Sequence, residues 1–117
     1  MIATTLALAI AALHVWFLVM EMFLWRTPRV RKVFGTTEEF AAASAVLAAN
    51  QGLYNGFLAA GLIWGVWQGA AGQPIVAFFL LCVVVAGVYG AATASRRILF
   101  VQAVPAALAL AALVAGI

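Results

Sequence analysis

From Ile2 to Trp25 the chain runs for about two dozen residues that are apolar almost throughout, broken by one imidazole, His14, and one carboxylate, Glu21. A transmembrane helix needs about 20 mainly apolar residues, so this run is long enough to cross a bilayer. A carboxylate inside hydrocarbon costs several kcal/mol and is usually retained for a reason. The stretch therefore constrains the fold and points to a place of interest within it.

The remainder of the sequence agrees with a membrane solution. Of 117 residues, 68% are hydrophobic and 8% charged, and the mean hydropathy is +1.20. A soluble domain carries about 25% charged residues, so this chain cannot cover a water-facing surface. Its length allows one domain, residues 1–117. The net charge of +3 comes from basic residues confined to two short loops, where membrane topology accounts for them; nucleic-acid binding is not expected. Cys82 is the single cysteine, so no disulfide can form within the chain, and a structural thiol is expected.

Four spans are expected, at about 2–25, 40–67, 74–93 and 98–117. Thr27-Pro28 reads as a stop after the first, because proline blocks continuation of the preceding helix. The second helix is expected to start before Phe40, with Thr36 as N-cap and Glu39 three residues on in a capping box. Pro74 suits the first turn of the third helix, and Gly35 and the stretch Gly69 to Pro74 mark turns. The first span is read as a membrane helix rather than a secretory signal, because no basic segment precedes it and Glu21 lies within it.

Arg26, Arg29, Arg31 and Lys32 fall in the first loop and Arg96 and Arg97 in the third, while the second loop is uncharged. With four crossings the two basic loops share a side, and the positive-inside rule makes it cytoplasmic. The expected architecture is all-α: a transmembrane four-helix up-and-down bundle in the bacterial cytoplasmic (inner) membrane, with both termini non-cytoplasmic. The basic first loop also suits anionic lipid headgroups, so membrane lipid is an expected partner. Trp25, Trp64 and Trp67 lie near span ends, as indoles at a membrane interface do. Trp16 is deeper, and packing is its expected role.

At 100° per residue, His14 and Glu21 fall within about 20° of each other, on a stripe shared with Ala3, Ala7, Ile10 and Phe17. Small residues on such a stripe mark a protein-facing surface, because they permit close backbone approach. The second span carries Asn50, Gln51, Tyr54 and Asn55, with Asn50 and Tyr54, and Gln51 and Asn55, as i,i+4 neighbours. Gly52 and Gly56 form a G-x-x-x-G, and Gly61, Gly65 and Gly69 continue the spacing. Ala103, Ala107, Ala111 and Ala115 repeat it in the fourth span, where Pro105 removes a donor from the carbonyl of Val101 and a kink is expected. Counting 1.5 Å per residue, Glu21, Tyr89 and Gln102 each lie about one turn inside the cytoplasmic end of their helices. Asn50 and Gln51 lie somewhat deeper, and His14, Tyr54 and Asn55 form a second layer.

The eight candidate site residues are thus Glu21, His14, Asn50, Gln51, Tyr54, Asn55, Tyr89 and Gln102. Three readings stand side by side. Asn, Gln and Tyr can act as interhelical glue worth about 0.6 kcal/mol each, with Glu21 hydrogen-bonded to Gln102 or Asn50 and His14 a neutral core residue. Glu21 can instead exchange a proton during binding or transport of a small hydrophobic or cationic molecule, with His14 as a second proton site. A membrane enzyme doing acid/base chemistry on a lipid or isoprenoid is the third. One His, one Cys and one buried Glu do not make a metal set, no Ser/His/Asp triad is available in a chain without Asp, and no phosphate-binding glycine loop follows a strand. No cofactor is expected.

Two segments carry a resemblance. His14 through Trp25, ending Glu21-Met22-Phe23-Leu24-Trp25 and followed by Arg26-Thr27-Pro28 and Val33-Phe34-Gly35, resembles the start of a small bacterial membrane-protein family known as domain of unknown function 1304. Ala49-Asn50-Gln51-Gly52-Leu53-Tyr54-Asn55-Gly56-Phe57-Leu58-Ala59-Ala60-Gly61 does so too. The resemblance spans nearly the whole chain and implies a four-helix integral membrane protein, without implying an activity. In architecture alone, the chain is also similar to small multidrug transporters, four-helix proteins with a membrane glutamate in the first helix. That likeness implies a homodimer binding a lipophilic cation, with aromatics such as Trp16, Tyr54, Trp64 and Tyr89 available for cation–π contacts.

Overall fold

The computed structural model describes all residues from 1 to 117, and every regular element in it is helical. There are five α-helices: α1 (Ile2–Met22), α2 (Pro28–Phe34), α3 (Glu38–Trp67), α4 (Gln73–Thr93) and α5 (Val104–Val114). A 3-10 turn, Gly69–Gly72, precedes α4, and a π turn, Leu99–Ala103, precedes α5.

Two helical stretches combine the length and apolarity needed to cross a bilayer: Ile2–Met22, of mean hydropathy 2.2, and Gly69–Thr93, of mean hydropathy 2.6. The segment Leu99–Val114 is apolar but shorter. With 30 residues α3 has the length, about 45 Å, but Asn50, Gln51 and Asn55 dilute its apolar run.

The expected boundaries need three corrections. The first helix stops at Met22, three residues short of Trp25: the Phe23 and Leu24 N–H groups both return to the Val19 carbonyl, which closes the helix. Thr27-Pro28 does not only stop a helix; it starts one. Thr27 is the N-cap of α2, its hydroxyl accepting from the Val30 N–H at 3.4 Å, and Pro28 takes the first position, where its missing N–H is no loss. Gly35 then ends α2 in the left-handed region at φ 69°, a conformation that favours glycine. The cap of α3 is Thr37 and not Thr36: the Thr37 hydroxyl accepts from the Phe40 N–H at 3.1 Å, with Glu38 and Glu39 in the first turn facing the positive end of the helix. The Thr36 hydroxyl oxygen is buried without a hydrogen-bond partner.

The chain divides into two compact units. One comprises Met1–Ala12 with Leu58–Ile117, the other Leu13–Phe57. The core of the first is built from small and branched side chains: Ala7, Ile10, Ala11, Ala59, Leu62, Val76, Leu80, Val83, Ala106 and Ala109. Ala3, Ala7 and Ile10, expected on the inward stripe of α1, are buried. The π turn is central to the way α4 and the last helix meet. The Val104 N–H reaches back to the Leu99 carbonyl, one residue further than in an α-helix. The widened turn sets Ala103 against Gly87 of α4, where an added Cβ would stand 2.6 Å from the Ala103 nitrogen. Only glycine allows that approach. Where a kink was expected at Pro105, the structure has a π turn that ends at Ala103, and Pro105 sits in the first turn of α5.

In the second unit, α2 is held by Val30, 2% exposed, and by a tilted ring contact of 4.9 Å between Trp25 and Phe34. The Trp25 indole N–H donates to the Ser44 hydroxyl at 3.1 Å, and that hydroxyl donates in turn to the Phe40 carbonyl at 2.7 Å. A polar chain thus fastens the segment after α1 to the start of α3. Trp16, for which packing was expected, is 47% exposed.

Candidate functional site

Glu21 lies in the last turn of α1, and its partner is Asn55 of α3. The Asn55 side-chain amide donates to the Glu21 Oε1 at 2.6 Å. On α3 the bond comes from Asn55 and not from Asn50, for which it was expected. The reason is the face that α3 turns towards α1. Gly52, Asn55 and Gly56 are spaced i, i+3, i+4 and share that face. A Cβ on Gly52 would meet Met22 Cγ at 2.9 Å and Glu21 Cβ at 3.0 Å, and one on Gly56 would meet Leu18 Cδ1 at 2.6 Å. The glycines let the backbone of α3 come close to α1, and at that distance a short amide reaches the carboxylate. The signal was in the sequence: Asn55 lies between the glycines that make the contact.

Glu21 is half-buried, and the hydrogen bonds described for it engage one carboxylate oxygen, Oε1, leaving Oε2 available to a further donor. His14, two turns earlier on α1, is completely buried, its ring edge-on to Phe17 with centroids 5.1 Å apart. Asn50 and Tyr54 are exposed on α3 and joined by a long bond, the Asn50 amide donating to the Tyr54 hydroxyl at 3.5 Å. Gln51 is exposed beside them. Six of the eight expected residues therefore belong to the unit Leu13–Phe57, with Glu21 and Asn55 bonded to one another. Tyr89 and Gln102 belong to the other unit, Tyr89 exposed and Gln102 half-buried.

Residue-pattern reasoning missed the bond from Trp25 to Ser44. Trp25 was read as an interface anchor, and a serine within the alanine-rich start of α3 carried no signal of its own. Two cavities lie in the unit Met1–Ala12 with Leu58–Ile117. A cleft of about 300 Å³ is bordered by Thr4, Gly65, Gln73 and Leu113, and an open apolar depression by Val84, Leu110 and Val114. None of the eight residues lines either of them. No group of His, Cys, Asp or Glu side chains suited to holding a metal ion is present.

Comparison with known proteins gives a family and a relative. The profile of a family described as "Protein of unknown function (DUF1304)" matches residues 8–114. A protein of Lactococcus lactis subsp. lactis (strain IL1403), named "Uncharacterized protein YpaA", is 31% identical over 107 residues, 90% of each chain. No solved structure matches.

Proposed function

The chain belongs to the DUF1304 family, and from that premise we propose that it is a multi-pass protein of the bacterial cytoplasmic membrane that binds or transports a small hydrophobic or cationic molecule at Glu21. The observation that carries this reading is the state of that side chain. A carboxylate in an otherwise apolar helix has one oxygen tied to Asn55 and the other available. A ligand cation supplies the missing charge where hydrocarbon supplies none. The exposed rings of Trp16 and Tyr54 belong to the same unit and suit an organic cation.

In this reading the four helices α1, α3, α4 and the π turn with α5 form an up-and-down bundle, one transmembrane domain with both termini outside. The two apolar helices support it, and so do the basic residues Arg26 before α2, Arg29, Arg31 and Lys32 within it, and Arg96 and Arg97 before the π turn. The test is equilibrium binding of tetraphenylphosphonium to the protein in lipid nanodiscs, compared with Glu21→Gln. Glutamine keeps a carbonyl for the Asn55 amide and removes the charge. Saturable binding weakened at least tenfold by the substitution is expected, and equal binding by both proteins refutes the assignment.

The bond itself favours a second reading, in which Glu21 and Asn55 serve only to lock α1 to α3. In that case Glu21→Gln leaves binding and stability alike unchanged, and Asn55→Ala lowers stability.

A further inference from the structure

The middle of α3 presents a row of exposed side chains. Leu47, Asn50, Tyr54 and Phe57 follow one another at spacings of three, four and three residues, so they form one stripe along the helix. Leu47 is 65% exposed, Tyr54 50% and Phe57 56%, and Asn50 is exposed as well. Asn50 lies twelve residues from the start of a 30-residue helix, about 18 Å into a length of about 45 Å. The stripe therefore straddles the helix midpoint, the part farthest from either headgroup region once the helix crosses a membrane.

A carboxamide there has two N–H donors and an acceptor. Its described bond is the 3.5 Å contact with the Tyr54 hydroxyl, at the limit of a hydrogen bond and within the same helix. Acyl chains offer neither donors nor acceptors, so an amide facing them bears an uncompensated cost. A ligand seeks a concave site, whereas these side chains stand out from one helix. A second copy of the same stripe is the occupant that fits. Across a two-fold axis each Asn50 amide donates to the other's carbonyl oxygen, both acceptors are met, and the flanking Leu47 and Phe57 pack as the apolar positions of a helix pair. Polar side chains of this kind join membrane helices, because bonding to one another replaces bonding to nothing.

We propose that the Leu47, Asn50, Tyr54, Phe57 face of α3 is a homodimer interface. The inference rests on α3 crossing the membrane as proposed above. It is tested on the full chain in its native membrane with Cys82→Ser as background. A cysteine at Leu47 is expected to give a disulfide-linked dimer on mild oxidation, whereas a cysteine at Val85, 61% exposed on α4, is expected to give none. Asn50→Ala is expected to raise the dimer dissociation constant at least tenfold in single-molecule photobleaching in liposomes, with the unfolding midpoint of the monomer unchanged. A chain that stays monomeric in liposomes, or that cross-links equally from Val85, overturns the interface and leaves the membrane reading standing. Recovery of the chain in the soluble fraction after carbonate washing overturns both. A lipid that co-purifies with the wild type and is lost in Asn50→Ala, without dimer formation, assigns the face to lipid and overturns the proposal.

Discussion

Gly87 and Gly52 each sit where two helical segments come together, yet they meet different things. A Cβ on Gly87 would run into the backbone of Ala103, with the nitrogen at 2.6 Å and Cα at 2.9 Å. A Cβ on Gly52 would meet side-chain atoms first, Met22 Cγ at 2.9 Å and Glu21 Cβ at 3.0 Å, with the Leu18 carbonyl oxygen further off at 3.2 Å, and of these Met22 can swing aside. The same contrast runs through the two units. Around Gly87 the packing is alanine, valine and leucine with main chain pressed on main chain. In Leu13–Phe57 the segments are fastened by pairs of side chains, Asn55 to Glu21 and Trp25 to Ser44. One unit is held together by fit, the other by named bonds.

The comparison can be broken most directly at Gly87. Gly87→Val is expected to cost about 3 kcal/mol, at the upper end for overpacking against atoms that cannot yield, read as a lowered midpoint in detergent unfolding. Gly52→Ala in the same assay is expected to cost about 1 kcal/mol, because Met22 can swing aside and the Leu18 carbonyl oxygen, at 3.2 Å, needs to give only a little. If the two substitutions cost the same, the distinction between main-chain and side-chain contact fails. Asn55→Ala removes the donor from a half-buried carboxylate and is expected to cost about 1–2 kcal/mol. Trp25→Phe deletes the bond to Ser44 while keeping a ring against Phe34, for a loss of about 0.5–1 kcal/mol, visible as a thermal shift. Smallest is Glu21→Gln, expected within about 0.5 kcal/mol of the wild type, since the Asn55 bond survives it. A larger loss there means that the charge itself holds the unit together.

The sequence was most readable where one periodicity decided the outcome. Of the inward stripe of α1 that follows from 100° per residue, Ala3, Ala7, Ile10 and His14 are buried, and Phe17 and Glu21 are half-buried. The glycine spacing at 52 and 56 marked a close approach, and the structure has one. Where two neighbours compete for one role, spacing could not choose between them. Thr36 and Thr37 can each cap a helix; the Thr36 N–H is used in closing α2 on the Arg31 carbonyl, and it is the Thr37 hydroxyl that reaches the Phe40 N–H. The same holds for the partner of Glu21. Asn50 and Asn55 both carry amides on α3, and which one arrives depends on the rotation of that helix, set by the contacts of Gly52 and Gly56 with Leu18 and Met22. Helix α2 was missed because a seven-residue helix is too short to show a period, although its cap and its proline were both visible.

The π turn at Leu99–Ala103 also sets a rule for how this protein can change length. Its wide winding accommodates one surplus residue, and deletion of any single codon there would let regular winding resume with backbone pairing preserved. The helix beyond would keep its phase, because the wide turn has already absorbed that residue, and Ala106, Ala109 and Ala112 would stay on the buried side. The same deletion inside regular α5 would turn the residues after it by about 100°. Loss of one residue is therefore expected to be better tolerated within this turn than within α5.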